Sequence, residues 1–478
     1  MLFHSLEFAV FFPIVFGLYL CLPHIWQNRM LLVASYIFYG AWDWRYVSLL
    51  LVSTVADFFC GRCIERTDNV NVKKRFVALS VVANLGMLCT FKYYDFFAEN
   101  FQVMMGTVGL EVHPYFLDVA LPIGISFFTF QTMSYTIDVY RGKVAAAKNI
   151  FDFSLYVSFF PQLIAGPIER GTRLLPQILA PRVVTPEKVY RGAYLVLWGL
   201  FLKVFIADNL TELVDPVFAE GPYDGASVLI ATYAFSIQIY CDFAGYSFMA
   251  MGLAGAMGIE LMENFRRPYF AKNIAEFWRR WHISLSSWFR DYVFTPYYVH
   301  VEKWRILRGL KLKSRHAAAF FITLFVTEVL LGLWHGAGWN YVFFGVFHAL
   351  VIGAYYYLRK YWDRMPLGLQ IFCMYQIASL GWLVFRANSL GQAWEMFLSI
   401  FNNFQLVSPH YDLVTAVMTL AAISGILVIV QVFQELKNNT FVVLRWPRMV
   451  RYGFFTALIA LVAFFGNFGV KPFIYFQF

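Results

Sequence analysis

Long apolar runs, most of them near twenty residues, recur along the whole chain and are separated by short polar segments. Because a helix rises about 1.5 Å per residue, roughly twenty apolar residues cross the ~30 Å hydrocarbon core of a bilayer. The pattern predicts spans near 5–22, 30–41, 45–61, 76–98, 121–140, 192–210, 228–258, 316–334, 340–358, 367–386, 413–434 and 452–470. We therefore predict an all-α, polytopic integral membrane protein with about 11–13 transmembrane helices.

The apolar run at 150–165 is too short to span a bilayer and contains Pro161. Such a run predicts a re-entrant segment, which is tolerated at membrane depth only where protein or a water-filled cavity surrounds the backbone. No internal repeat, low-complexity tract or soluble domain interrupts the pattern. We predict one membrane-embedded domain over residues 1–478.

Composition agrees with lipid as the solvent, since 60% of the residues are hydrophobic, 20% aromatic and only 14% charged. The formal net charge is +9, which raises the question of a nucleic-acid partner. Twelve Lys or Arg residues against four acids lie in one segment, 263–315. A basic connection between apolar spans indicates a cytoplasmic segment that faces lipid headgroups, and no nucleic-acid partner is predicted.

Loop charges predict the orientation. The segment 211–227 carries acidic residues and no base, whereas basic residues recur in alternate loops. The positive-inside rule then places the N-terminus outside. The N-terminal run carries Glu7 and has no basic region before it, which is typical of a retained first span.

The six cysteines show no disulfide-framework spacing. Cys60 and Cys63 match the C-x-x-C spacing of redox and metal motifs, but they end an apolar run and no second pair completes a metal site. We predict core cysteines and no metal.

The segment 276–291 (EFWRRWHISLSSWFRD) places Phe277, Trp281 and Leu285 at helical spacing, with Arg279 and Arg280 on other faces. This pattern predicts an amphipathic interfacial helix. His282 would lie where its aromatic and polar stripes meet. Two roles stay open on the spacing alone, a catalytic histidine or part of a membrane-interface anchor.

The segment 331–348 (LGLWHGAGWNYVFFGVFH) places His335 between two strongly apolar runs, beside Gly332, Gly336 and Gly338. Glycines permit a helix break or a close backbone approach. An ionisable side chain at membrane depth is costly and therefore marks a candidate functional site. The alternative is a histidine that bonds a neighbouring helix.

These segments carry a resemblance. FWRRWHISLSSWFRDYVFTP and LLGLWHGAGWNYVFFGVFHA, with LPIGISFFTFQTMSYTIDVYRG and FFPQLIAGPIERGTRLLPQ, resemble the membrane-bound O-acyltransferase (MBOAT) family. They are most similar to its branch of alginate and peptidoglycan O-acetyltransferase membrane subunits. The likeness runs in order over about 120–350, the motif-bearing core.

The resemblance implies a compact, many-helix fold with His335 at its centre and His282 as the second characteristic histidine. It implies acetyl transfer from acetyl-CoA or an acyl-carrier thioester, used as substrate with no tightly bound cofactor. It also implies O-acetylation of an extracytoplasmic polysaccharide, alginate-like or peptidoglycan, with a periplasmic acetyltransferase partner or a glycan acceptor. The membrane would be the bacterial inner membrane.

The residues themselves suit this chemistry, because acyl transfer to a hydroxyl needs a base for the proton and donors for the oxyanion. A neutral imidazole at His335 can be the base or a transient acyl-imidazole nucleophile. The candidate donor-binding or oxyanion groups are Arg279, Arg280, Asn340 and Trp339. The basic loop suits the phosphates of the donor or anionic membrane lipids equally.

Two other classes fit the many spans and buried polar groups, a polytopic transporter and a structural subunit of a polysaccharide secretion complex. A transporter is less favoured, because the chain shows no inverted repeat and no series of intramembrane acids. A structural subunit predicts that both histidines are replaceable.

Overall fold

The computed structural model describes residues 1–219, 221–307, 314–405, 408, 410–469 and 474. Glu220, the centre of the predicted basic loop at 308–313 and most of the terminal FIYFQF run lie outside them. The chain divides into two compact units, residues 1–196 with 247–262 and residues 197–246 with 263–478. That the whole chain is one domain stays a prediction.

The first half of the chain is built mainly from α-helices. They are α1 (Leu6–Cys21), α2 (His24–Gly40), α3 (Val47–Arg66), α4 (Val70–Leu88), α5 (Tyr94–Thr107), α6 (Ile125–Tyr140), α7 (Ile150–Ser158), α8 (Phe160–Leu163), α9 (Gly171–Leu179), α10 (Pro186–Leu200), α11 (Asp208–Ala219) and α12 (Gly225–Ala256). Short π-helical stretches, Cys89–Tyr93 and Phe201–Ala207, join α4 to α5 and α10 to α11.

The second half is built in the same way. Its helices are α13 (Ile274–Arg280), α14 (Ile283–Phe289), α15 (Thr295–Leu307), α16 (Ser314–His335), α17 (Trp339–Trp362), α18 (Leu367–Arg386), α19 (Leu390–Asn402), α20 (Leu413–Leu436) and α21 (Arg448–Phe465). A third π-helical stretch, Arg290–Phe294, joins α14 to α15. The all-α membrane architecture expected from the sequence is confirmed.

Nine helical stretches within the described ranges are long and apolar enough to cross a membrane. Nine of the twelve predicted spans fall on them. The other three, near 5–22, 30–41 and 121–140, fall on α1, α2 and α6, which have 16, 17 and 16 residues.

The segment predicted to be re-entrant forms two short helices, α7 and α8, which meet at Phe159. Nearly all its side chains from Phe153 to Ala165 are buried within the first unit. The helix break at Phe159 is therefore surrounded by protein, which is the environment that a re-entrant segment would require. That the segment is re-entrant stays a prediction.

In the first unit, α3, α4 and α6 meet at Asp57, a fully buried carboxyl. It accepts hydrogen bonds from Ser80 Oγ, from Thr136 Oγ1 at 2.5 Å and from Asn84 Nδ2 at 2.6 Å. Because buried polar groups are costly unless they are hydrogen-bonded, this network fixes how the three helices pack.

The second unit contains a buried ion-pair cluster. Lys203 Nζ lies 2.7 Å from carboxylate oxygens of both Asp208 and Asp242. Asp242 also accepts the backbone N–H of Ile474 at 2.7 Å, so the cluster holds a point near the end of the chain.

The hairpin of α16 and α17 positions the candidate site. A Cβ atom at Gly332 would lie 2.1 Å from the carbonyl oxygen of Tyr341, and one at Gly345 would lie 2.2 Å from that of Glu328. Only glycine fits at such distances, so these two residues let the helices approach closely. The close approach brings the end of α16 beside the start of α17.

Candidate active site

His335 is the last residue of α16, and the chain turns through Gly336, Ala337 and Gly338 before α17 begins. A Cβ atom at Gly336 would lie 2.2 Å from the ring of Tyr341. The turn therefore requires glycine, because the Tyr341 ring occupies the space that a side chain would need. The break that the glycines predict at this point is confirmed.

Aromatic rings enclose the buried imidazole of His335. Its ring centroid lies 5.1 Å from that of Trp334, 5.4 Å from Phe385 and 5.9 Å from Phe344, all in edge-to-face geometry. These contacts restrict the orientation of the imidazole. A neutral imidazole has one nitrogen that can accept a proton, so a fixed ring offers a fixed base.

His282 lies between two helices and not within one. The single interfacial helix predicted over 276–291 is wrong, because α13 ends at Arg280 and α14 begins at Ile283. Trp281 is extended, and His282 adopts the left-handed conformation with φ of 41°. His282 is fully buried, so it does not lie at the boundary of an interfacial helix.

Asn264 holds His282 in this conformation. Its Oδ1 accepts hydrogen bonds from His282 Nδ1 at 3.1 Å, from Ser284 Oγ at 2.9 Å and from Ser284 N at 3.3 Å. Because the backbone N–H of Ser284 identifies the acceptor as the amide oxygen, Nδ1 of His282 must carry the hydrogen. The lone pair is therefore on Nε2.

Burial lowers the pKa of His282 from its usual 6.5 to about 3. Removal from water disfavours the charged imidazolium, so His282 is neutral at physiological pH. Its surroundings are aromatic, with Phe243 at 4.6 Å and Phe265 at 6.2 Å between ring centroids.

Trp334 contacts both histidines. Its ring centroid lies 5.6 Å from that of His282 and 5.1 Å from that of His335. The structure therefore brings the two candidate catalytic residues to the same indole within the second unit.

The two candidate donor-binding arginines differ in environment although they are adjacent at the end of α13. Arg279 is exposed. The Arg280 side chain is only 15% exposed and donates to Glu276 at 2.6 Å and to Glu435 at 2.8 and 2.9 Å. The guanidinium group of Arg280 is therefore paired with carboxylates, whereas the side chain of Arg279 is open to solvent.

The two other predicted ligand contacts lie at the start of α17. Asn340 Nδ2 donates to the carbonyl oxygens of Ala387 at 2.9 Å and Phe385 at 3.5 Å, which joins α17 to the end of α18. Trp339 is 57% exposed. The amide hydrogens of Asn340 are thus directed to backbone carbonyls, which favours a structural role for this residue.

Sequence reasoning missed Asn264, Trp334, Phe385 and Glu435. Trp334 is adjacent to His335 and could have been named from that position alone. Asn264 lies 18 residues before His282, and Phe385 and Glu435 lie farther from the histidines along the chain. No periodicity or motif connects these residues with the histidines. Within the described ranges, no group of three or more His, Cys, Asp or Glu residues could hold a metal ion.

A bundle of membrane-length helices with a buried histidine at a glycine-lined helix junction defines a multi-pass membrane protein with an enzyme-like site. The profile of the MBOAT, membrane-bound O-acyltransferase family, matches residues 37–367. The chain belongs to this family, and it is a membrane O-acyltransferase.

Named relatives agree. The chain is 36% identical over 401 residues to a probable alginate O-acetylase of Azotobacter vinelandii, covering 82% of this chain and 76% of that protein. It is 32% identical to a peptidoglycan O-acetyltransferase of Helicobacter pylori, covering 78% and 72%. It is also 32% identical to a teichoic acid D-alanyltransferase of Bacillus subtilis, covering 51% and 60%.

Proposed function

We propose that this chain moves an acetyl group from a cytoplasmic thioester across the bacterial inner membrane, for O-acetylation of an extracytoplasmic polysaccharide. The donor is acetyl-CoA or an acetylated carrier protein, bound as a substrate and not as a resident cofactor. The acceptor is an alginate-like exopolysaccharide or peptidoglycan, which is what the names of the relatives support.

The observation that carries this proposal is the buried imidazole of His335, enclosed by aromatic rings at the α16–α17 junction. In the proposed reaction, the acceptor hydroxyl attacks the thioester carbonyl carbon and His335 takes its proton. The C–S bond then breaks, and the proton passes to the leaving thiolate to give the free thiol. A positioned general base is the group that this sequence of proton transfers requires.

A covalent route uses the same residue. His335 would attack the thioester to form an acyl-imidazole, release the thiol, and then transfer the acetyl group to the hydroxyl. In both routes the chemistry takes place at His335, and His282, which contacts the same Trp334 indole, is the second catalytic residue.

Arg279 is our candidate for binding the donor, because its exposed guanidinium can pair with the phosphates of CoA or of phosphopantetheine. The charge of segment 263–315 supports a cytoplasmic location for this end, with the N-terminus outside. Anionic lipid headgroups would use the same charge. A periplasmic acetyltransferase, or the glycan itself, would receive the acetyl group on the opposite side.

The test is thiol release by the purified protein in lipid nanodiscs. Acetyl-CoA and an acetylated carrier protein are supplied separately, with alginate or peptidoglycan fragments as acceptor, and both free thiol and O-acetyl ester are measured. We expect acceptor-dependent release of one thiol per ester formed. Release with D-alanyl carrier protein and not with the acetyl donors would contradict the acetyl assignment.

Two further outcomes concern the rival classes. A transporter would move acetyl-CoA or the glycan across proteoliposomes without forming an ester. A structural subunit would do neither, and its complex would keep full activity when both histidines are replaced.

A further inference from the structure

Glu435 lies one residue before the end of α20, more than 150 residues after His282 in the sequence, yet its carboxylate contacts the segments that surround this histidine. Its Oε1 accepts from Arg280 Nη2 at 2.8 Å, and its Oε2 accepts from Arg280 Nη1 at 2.9 Å. Oε2 also accepts from Arg267 Nε at 2.6 Å. One carboxylate thus joins two guanidinium groups, one of them through a two-point contact.

The two arginines lie on the two segments that form the His282 loop, which we define as residues 264–284. Arg267 follows Asn264 by three residues, and Arg280 precedes His282 by two. The segments are paired by two backbone hydrogen bonds, Arg266 N to Arg280 O at 2.8 Å and Ile283 N to Asn264 O at 2.9 Å. This pairing places Oδ1 of Asn264 within hydrogen-bonding distance of Nδ1 of His282.

Two residues of the loop are held in a conformation that non-glycine residues rarely adopt. Arg267 and His282 have φ values of 46° and 41°. Such backbone strain persists only where surrounding contacts over-determine it. At His282 the restraint is Asn264, and at Arg267 it is the bonds to Glu435 and Asn438.

Burial strengthens these contacts. The side chain of Arg267 is 5% exposed, and that of Glu435 is 29% exposed. The two-point pair is that of Arg280, whose side chain is 15% exposed. Such a partly shielded pair fixes geometry better than an exposed pair, because both its charge and its planar shape are matched.

We propose that Glu435 is a positioning residue for His282, acting through Arg280 and Arg267 to keep the Asn264–His282 hydrogen bond in place. This inference rests on the proposed function in that it gives His282 a part in acetyl transfer. Glu435 does not touch substrate. It holds α13 and the 264–267 segment at the distance that orients the imidazole.

The experiment replaces Glu435 with Gln in the full chain, in nanodiscs. Gln keeps the size of the side chain and one acceptor but cannot pair with two guanidinium groups. We expect diethyl pyrocarbonate to modify His282 several-fold faster, as read by mass spectrometry of its peptide, while buried His348 reacts at its original rate. We expect kcat to fall about tenfold with KM within twofold, because a displaced catalytic group lowers the chemical step.

Two further variants sharpen the test. Glu435→Asp keeps the carboxylate and is expected to recover part of both kcat and the protection of His282. Glu187→Gln is the matched control, since it removes an exposed pair with Arg191 on α10 and should change neither readout.

The proposal is overturned if Glu435→Gln leaves the reactivity of His282 and kcat unchanged. It is also overturned if His282 and His348 become reactive together, because Glu435 would then stabilise the whole unit and not this loop. The labelling readout does not use acetyl transfer, so failure of the proposed function and failure of this inference are separate results.

Discussion

His335 and His282 both contact the indole of Trp334, and the chain builds their surroundings in different ways. The glycine turn, Trp334, Tyr341 and Phe344 lie within ten residues of His335 on the α16–α17 hairpin, and Phe385 joins them from the end of α18. His282 depends on Asn264, Phe243 and, through two arginines, on Glu435. A site built from one helical hairpin can be read from sequence, whereas a site built from separated segments cannot.

The sharpest test of this comparison is His335→Ala. If His335 is the base, acetyl transfer should fall by about 10²–10⁴-fold, the range that a general base supplies. Acetylation of the native glycan is measured in cells that express each variant at matched membrane levels, with folding checked by size-exclusion chromatography. His300→Ala, which removes an exposed histidine, is the control. A folded His335→Ala protein with near-normal acetylation would eliminate the catalytic role.

The second prediction tests the loop. Asn264→Ala removes the acceptor of three buried donors, each of which costs on the order of 1–3 kcal/mol when left unsatisfied. We expect His282 to lose its orientation, with kcat about tenfold lower and a lower melting temperature. Asn264→Asp keeps the acceptor oxygen and should retain more activity. If the alanine variant retains wild-type kcat, His282 does not need Asn264.

The third prediction tests the helical hairpin. A methyl group at Gly345 would meet the carbonyl oxygen of Glu328, so Gly345→Ala must separate α16 from α17. Overpacking of this kind costs about 1–3 kcal/mol, and it should also lower kcat by shifting His335. Gly425→Ala on α20 is the control, because the added carbon would lie more than 4 Å from every described atom apart from the adjoining residues and backbone of its own helix. There the gain in helix propensity should slightly raise the melting temperature. Equal melting temperatures for the two variants would show that the close approach is unimportant.

The order of the helices, the spans and the break at His335 follow from hydrophobic run length and glycine spacing, which are local properties of the chain. The conformation of the chain around His282 does not follow from these local properties. Segment 276–291 has a helical period, but the helix is interrupted at Trp281 and His282. This break cannot be seen in the period, because the contacts that stabilise it involve residues outside the segment. The pattern of charge likewise treated Arg279 and Arg280 as equivalent. In the structure they differ, because Arg280 pairs with Glu276 and Glu435 whereas Arg279 is exposed.

The fourth prediction concerns pH. Burial holds the pKa of His282 near 3, whereas an unfolded histidine titrates near 6.5. Below about pH 6.5 the unfolded chain therefore binds a proton that the folded chain does not, so stability is present above that pH and is lost as the pH falls. The melting temperature of His282→Gln should fall less between pH 7.5 and pH 5 than that of the wild type. An identical slope in both proteins would mean that His282 is not the buried neutral group described here.

The smallest effect is expected at Arg279, and it completes the comparison of the two arginines. The side chain of Arg279 is exposed, so Arg279→Gln should raise KM for the acyl donor a few-fold and leave kcat unchanged. Arg280→Gln should do the reverse, because its guanidinium pairs with Glu276 and Glu435 and not with the donor. Arg279→Lys keeps the charge and should lie between the wild type and Gln. The measurement is thiol release at varied donor concentration. A fall in kcat for Arg279→Gln, with KM unchanged, would show that this arginine supports the His282 loop and does not bind the donor.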